Sequence, residues 1–217
     1  MTNISKTTPV ISNIANETAP VNQQEPAKKY EFTSEKFTFD GLTLHRIRAL
    51  RDFDDVKAGD LGGFIENESN LSHDGNCWVY DNALVFKNGH VYENARVFGN
   101  AITCGHIYGH AWVYDNAIVA GYVYNNAHVY GNAVISDNSH VYGNARVYGK
   151  AIIYDNAYVY DNARVYEKAR IANNVHVFEN AHIHGIAVIR ENVGGSTKIK
   201  TYTERLSPYG ELEIVWV

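Results

Sequence analysis

The chain has two cysteines in 217 residues, Cys77 and Cys104, which is too few for a disulfide framework and fits a reducing, cytoplasmic setting. It lacks a basic start leading into an apolar run, and no apolar stretch is long enough to span a bilayer. Neither a secretory leader nor a membrane anchor is therefore expected. Surplus positive charge is missing as well: 19 Lys and Arg against 24 Asp and Glu give a formal net charge of -5. A general nucleic-acid binder needs the opposite balance to neutralise phosphates. Residues 1–29 are poor in large apolar groups and rich in Asn, Thr, Ser, Gln and Pro, the composition of a disordered arm.

What the chain does have is a period of six, as in Val141-Tyr-Gly-Asn-Ala-Arg-Val147-Tyr-Gly-Lys-Ala-Ile-Ile153. A repeat this short cannot bury an apolar face by itself, so successive units must wind and stack into a solenoid. Positions eighteen apart match: Ile135, Ile153, Ile171 and Ile189 form one register, Val129, Val147 and Val165 a second, and Val123, Val141, Val159 and Val177 a third. Three six-residue units per coil thus predict an all-β, three-sided prism of single-coil parallel β-helix type. The period shortens by two between Thr103 and Ile107 and between Val119 and Val123, and Gly105 and Gly121 sit in these tightened corners. Counting through both steps gives nearly seven coils, roughly 30 Å of stacked strands at about 4.8 Å per layer.

Within each unit, alternation sends the aliphatic residue and the Ala two positions before it inward. Asn is expected to make the left-handed corner, and Asn126, Asn144, Asn162 and Asn180 to bond to one another along one edge. The domains that follow are an arm over 1–29, a hairpin and irregular first coil over 30–75, the β-helix over 76–193, and a C-terminal hairpin cap over 194–217. In the first cap, Tyr30 to Phe39, the turn Asp40-Gly41, and Leu42 to Arg48 read as a hairpin. Gly194-Gly195 is expected to end the repeat, and both hairpins to cover an end or a face.

The outward columns differ from face to face. On the second face Leu84, Ile102, Ile118, Val134, Ile152 and Val188 make an apolar strip, which predicts a homo-oligomer interface, dimer or trimer, with the C-terminal Ile214-Val-Trp-Val217 as the rival cover. The first face alternates Trp, Arg and His beside a column of Tyr130, Tyr148 and Tyr166. The third carries His and Tyr columns. Such ladders stabilise adjacent layers without any ligand. Alternatively, Arg146 and Arg164 with Tyr130, Tyr148 and Tyr166 form a surface for a protein, sugar or nucleotide. His90, His106, His128, His140, His176 and His182 occupy equivalent slots, so none stands out as a base. The histidine columns are interrupted by Tyr122, Tyr158, Arg146 and Arg164, which predicts no metal site.

The stretch Val56-Lys-Ala-Gly-Asp-Leu-Gly-Gly-Phe-Ile65, followed by Leu71-Ser-His-Asp-Gly-Asn-Cys-Trp-Val-Tyr-Asp-Asn-Ala83, resembles the opening segment of the YdcK-type β-solenoid proteins of bacteria and their phages. The repeats resemble the left-handed hexapeptide β-helix, and left-handedness is implied by that resemblance. The wider superfamily includes acyl- and acetyltransferases that use CoA, with a His base in a cleft between subunits of a trimer and a loop thrown out from a corner. The resemblance thus implies CoA as cofactor and His128 or His182 as base if this chain is an enzyme. From Val123 to Ile189, however, the period never breaks for such a loop. The leading expectation is a noncatalytic structural or binding module without a cofactor. The alternatives are an acyltransferase and a phage protein that sequesters a small molecule or nucleotide near Arg146 and Arg164.

Overall fold

The structure, a computed structural model, describes residues 28–200 and the backbone of two further strands, Tyr202–Leu206 and Leu212–Trp216, which pair antiparallel. Residues 1–27, the turn of the final hairpin and any docking of Ile214 to Val217 on the second face lie outside the described residues. The described part is a β-solenoid of about 8 turns with three stacked sheets. Ile135, Ile153 and Ile171 pair in successive coils of one sheet, and each is 0% exposed. Val147 lies over Val165 in the eighteen-residue register, and Val113 over Val129 where a corner is shortened. The inward Ala residues, such as Ala127, Ala145 and Ala163, are equally buried and let the strands approach at the corners. One continuous column of Val, Ile and Ala is therefore the core.

Corner chemistry differs from the expectation by one position. The residue with positive φ is the one before the Asn: Asn125 at 58° and Asp161 at 56°, or a glycine such as Gly143 at 69°. The Asn itself is free to form the ladder, with Asn126 Nδ2 donating to Asn144 Oδ1 at 3.3 Å and Asn144 Nδ2 to Asn162 Oδ1 at 3.3 Å. Asp and Glu tolerate the left-handed slot because their carboxylates capture the amide of the next corner. Gly131 N donates to Asp115 Oδ2 at 3.1 Å, Glu179 N to Asp161 Oδ2 at 3.1 Å and Gly185 N to Glu167 Oε2 at 2.9 Å. The local bond offsets the steric cost that a β-carbon carries there.

Gly194-Gly195 does not end the repeat. A third shortened step runs from Ile189 to Val193, where Val193 bridges Val177, and Lys198–Ile199 then adds a rung over His182–Ile183. The β-helix thus continues past 193 to Ile199. A β-carbon on Gly194 would fall 2.4 Å from the Phe178 ring, so the glycine stands where the third-face ring column stops.

At the other end, β1 (Tyr30–Phe39) and β2 (Leu42–Ala49) form the expected hairpin, with Asp40 and Gly41 at φ 51° and 75° in its turn. Beta strand β3 (Leu61–Ile65) pairs antiparallel with β2 and parallel with the first second-face strand of the coils, so the hairpin extends that sheet. Being longer than the two-residue coil strands, the hairpin overhangs the face, and Leu44, Phe64, Leu84 and Phe86 close into a second buried cluster. Leu84 is consequently 6% exposed and covered by its own chain, not available as an interface residue. Nor does the arm reach residue 29. Lys29 is buried, and its Nζ donates to the Cys77 carbonyl at 2.9 Å while Tyr30 OH donates to the Leu71 carbonyl at 2.9 Å, satisfying acceptors of the first coil.

Candidate functional site

The aromatic columns stack coaxially. Tyr114, Tyr130, Tyr148, Tyr166 and His184 follow one another on the first face at 4.7–4.9 Å with ring planes within 4°. On the third face Tyr108, Tyr124 and Tyr142 do the same, beside a second stack of His106, Tyr122, His140 and Tyr158. Parallel β pairing sets this spacing, which coincides with ring-on-ring contact and contributes about 0.5 to 1.5 kcal/mol per pair. It also means that Tyr130, Tyr148 and Tyr166 have both ring faces covered by neighbours and present their edges outward. Arg146 and Arg164 lie exposed and side by side in adjacent coils of the same face.

His128 is tilted against Trp112 at 5.0 Å and meets Tyr114 edge-on at 6.3 Å. Among the described residues neither His128 nor His182 has a carboxylate partner. Among the outward histidines of the regular coils, His184 lies near one, with its Nδ1 3.8 Å from Glu167 Oε1. That separation exceeds a hydrogen bond, and the other Glu167 oxygen is committed to Gly185 N. Among the described residues no group of three or more His, Cys, Asp or Glu side chains is placed to hold a metal ion. No helix among them is long and apolar enough to cross a membrane.

Burial holds the His128 imidazole below its ordinary value, reinforced by Arg146; burial does the same at His140, and at His182 with Arg164, Lys198 and His184 adding to it. Burial also pushes the phenols of Tyr92 and Tyr124 up to about 12 from 10.0, with stacked tyrosines adding to it. The unfolded chain binds protons at these imidazoles that the folded chain resists, so stability is complete above pH 6.5 and falls as pH drops below it. In the alkaline range the folded phenols keep protons that the unfolded chain releases above pH 10.0, so stability falls again as pH rises from there to about 12. Circular-dichroism melts at about pH 5, 8 and 11 are expected to give the highest midpoint at the middle value.

The first-face stack is broken at one point. Phe98 lies flat on Tyr114 at 4.7 Å and 2°, but Tyr80, in the preceding coil, is turned to 85° at 6.4 Å. The cause is the segment just before β3. Phe53 bridges Val56 and packs edge-on against Trp78 at 5.3 Å, while the Asp52 carboxylate accepts from Ala58 N at 2.9 Å. This brings Asp54 and Asp55 over the first coils. Tyr80 OH donates to Asp55 Oδ1 at 2.9 Å, and burial together with that acceptor pushes the phenol above its usual range. Arg96 donates to Asp54 Oδ2 at 2.5 Å and to Asp55 Oδ2 at 3.2 Å.

Between the turned ring and the regular stack is a cavity of about 200 Å³, lined by Asp55, Tyr80, Asp81, Arg96, Phe98 and Trp112. Of these, sequence reasoning placed the aromatic and Arg columns on the correct face but did not single out the cavity, because Asp54 and Asp55 come from outside the repeat. The one signal was the acidic cluster Asp52-Phe-Asp-Asp55. On the second face, Ile102 packs at the edge of the hairpin cluster, Ile118 is 45% exposed, and Val134, Ile152 and Val188 are half-buried.

Comparison with known proteins agrees with this geometry. The model of the YdcK β-solenoid repeat matches residues 139–155, one stretch of the regular coils. Over 68 residues the chain is 43% identical to a protein of Escherichia coli (strain K12) described as the uncharacterized acetyltransferase YdcK. That alignment covers 27% of this chain and 21% of the relative, so the chain matches about a fifth of the relative's length. The chain thus folds as a β-solenoid with a YdcK-type repeat at residues 139–155, and it is similar over a short stretch to the Escherichia coli protein.

Proposed function

We propose that this chain is a noncatalytic binding module, a stiff solenoid that holds a ligand in the cavity beside Phe98 and Trp112. In the same reading, the part of the second face that the N-terminal hairpin leaves open, from Ile118 through Val134 and Ile152 to Val188, receives another copy of the chain. The observation that carries the proposal is the state of the outward imidazoles. His140 is a rung between two tyrosines and His128 lies between Trp112 and the next coil's Arg146, without the oriented partner a general base requires. Similarity to a protein described as an acetyltransferase extends over 68 residues, about a fifth of that protein, and a shared fold does not carry chemistry with it.

Calorimetric titration of the whole chain with acetyl-CoA, paired with an assay of thiol release, tests the reading. No saturable heat and no turnover are expected up to about 1 mM, the top of the ordinary KM range. Saturable binding with turnover that His128→Ala or His182→Ala abolishes would overturn it in favour of acyl transfer.

A further inference from the structure

We infer that the cavity beside Phe98 is a site for a small organic cation, an alkylammonium or guanidinium group. This inference rests on the binding-module reading and names the ligand class.

Three observations converge on it. The first is shape: Phe98 and Trp112 meet at 77° with centroids 5.9 Å apart, so two rings form adjoining walls, and Trp112 is 37% exposed at the mouth. A volume of about 200 Å³ matches one small headgroup, not an extended chain. The second is charge. Asp54 and Asp55 hold the Arg96 guanidinium, whose terminal nitrogens are bonded to both, and Asp81 lines the same cavity. The Asp81 carboxylate accepts from Gly99 N at 2.9 Å and makes no ion pair among the described residues; the nearby Arg46 guanidinium donates to the Asp81 main-chain carbonyl at 3.0 Å and is paired with Glu35 at 2.8 Å. An anion such as a phosphate or the CoA diphosphate meets net negative charge here; a cation meets complementary charge.

The third observation is that the same walls already hold a cation. The Arg96 guanidinium carbon lies 5.8 Å from the Tyr80 ring centre and 5.7 Å from that of Trp112, within the distance at which ring quadrupoles attract positive charge. Arg96 is the inner cation of an acid-and-ring box. The open part of the box, between Asp81 and the Phe98 and Trp112 rings, offers the same chemistry to a second one. The turned Tyr80 ring keeps that part open, since a ring stacked flat would close the column as it does in every coil above.

The test is titration of the whole chain at low salt with choline, with N-acetyl-lysine amide, with glucose and with inorganic phosphate, followed by calorimetry. Choline or the lysine derivative is expected to bind with Kd on the order of 1 mM, and the tighter of the two identifies a free metabolite or a peptide side chain as the source. Trp112→Ala is expected to weaken that binding at least tenfold. Asp81→Asn keeps an oxygen for Gly99 N while removing the charge, and is expected to weaken it several-fold with an unchanged melting curve. Glucose binding that Trp112→Ala abolishes, with no cation binding, would overturn the cation assignment and leave the module reading intact. Failure of all four probes would also overturn it, whereas acetyl-CoA turnover would remove the module reading itself.

Discussion

Gly105→Ala is expected to destabilise the fold by about 3 kcal/mol or more, as a lower denaturation midpoint in urea. A β-carbon at residue 105 would lie 2.1 Å from the Gly121 carbonyl oxygen, and one at Gly121 would lie 2.6 Å from the Ser139 carbonyl oxygen. These are backbone atoms of the next corner, so no side chain can move aside to relieve the clash. The tightened corners run one over another, and displacing Gly121 pushes the following coil in turn. Buried Thr103 beside this corner donates through Oγ1 to the Val119 carbonyl at 2.9 Å and accepts from Gly105 N at 3.2 Å, a bond pair that a shifted corner would break. Gly59→Ala is the comparison for backbone strain without crowding: its φ is 96° and nothing lies within 4 Å of its β-carbon position, so a loss at Gly105 no larger than at Gly59 would mean that crowding is not the cause.

Ile153→Ala is the second large effect, with an expected loss of about 2 to 5 kcal/mol. Ile153 is 0% exposed in the middle of the core column, with Ile135 and Ile171 directly beneath and above it. A repeat array transmits stability only between neighbouring coils, so a cavity at mid-column weakens the coupling between its two halves. Hydrogen exchange followed peptide by peptide is expected to lose protection most steeply in the coils flanking residue 153, with the hairpin end less affected. A uniform drop along the whole chain would indicate a single cooperative unit instead. Ile118→Ala, on an outward side chain that is 45% exposed, is the comparison and is expected to cost under about 1 kcal/mol.

The Asn corner illustrates how far a repeating sequence can be read. The edge ladder from Asn126 to Asn162 was legible because its partners recur at the coil period. Which residue takes the left-handed angle was not, because Asp161 and Asn162 both suit it by propensity, and Glu179, a poor choice, becomes tolerable only once its carboxylate reaches the next corner's amide. The end of the repeat was misplaced for a similar reason. Gly194-Gly195 has the composition of a terminator, yet the step from Ile189 to Val193 is a third clipped corner, and inward Ile199 resumes the first face.

The sequence by itself determined the three faces, the register of the inward Val and Ile up to Ile189, the columns of rings and the N-terminal hairpin. It did so because stacking at a constant rise converts recurrence along the chain directly into adjacency in space. Only the tertiary structure decided that Leu84 lies under the chain's own hairpin, that Tyr80 is turned out of its column, and that Asp54, Asp55 and Arg96 meet across some forty residues. Those contacts join an aperiodic segment to a periodic one. No spacing rule relates the two, and the packing of Phe53 on Trp78 is what brings them together.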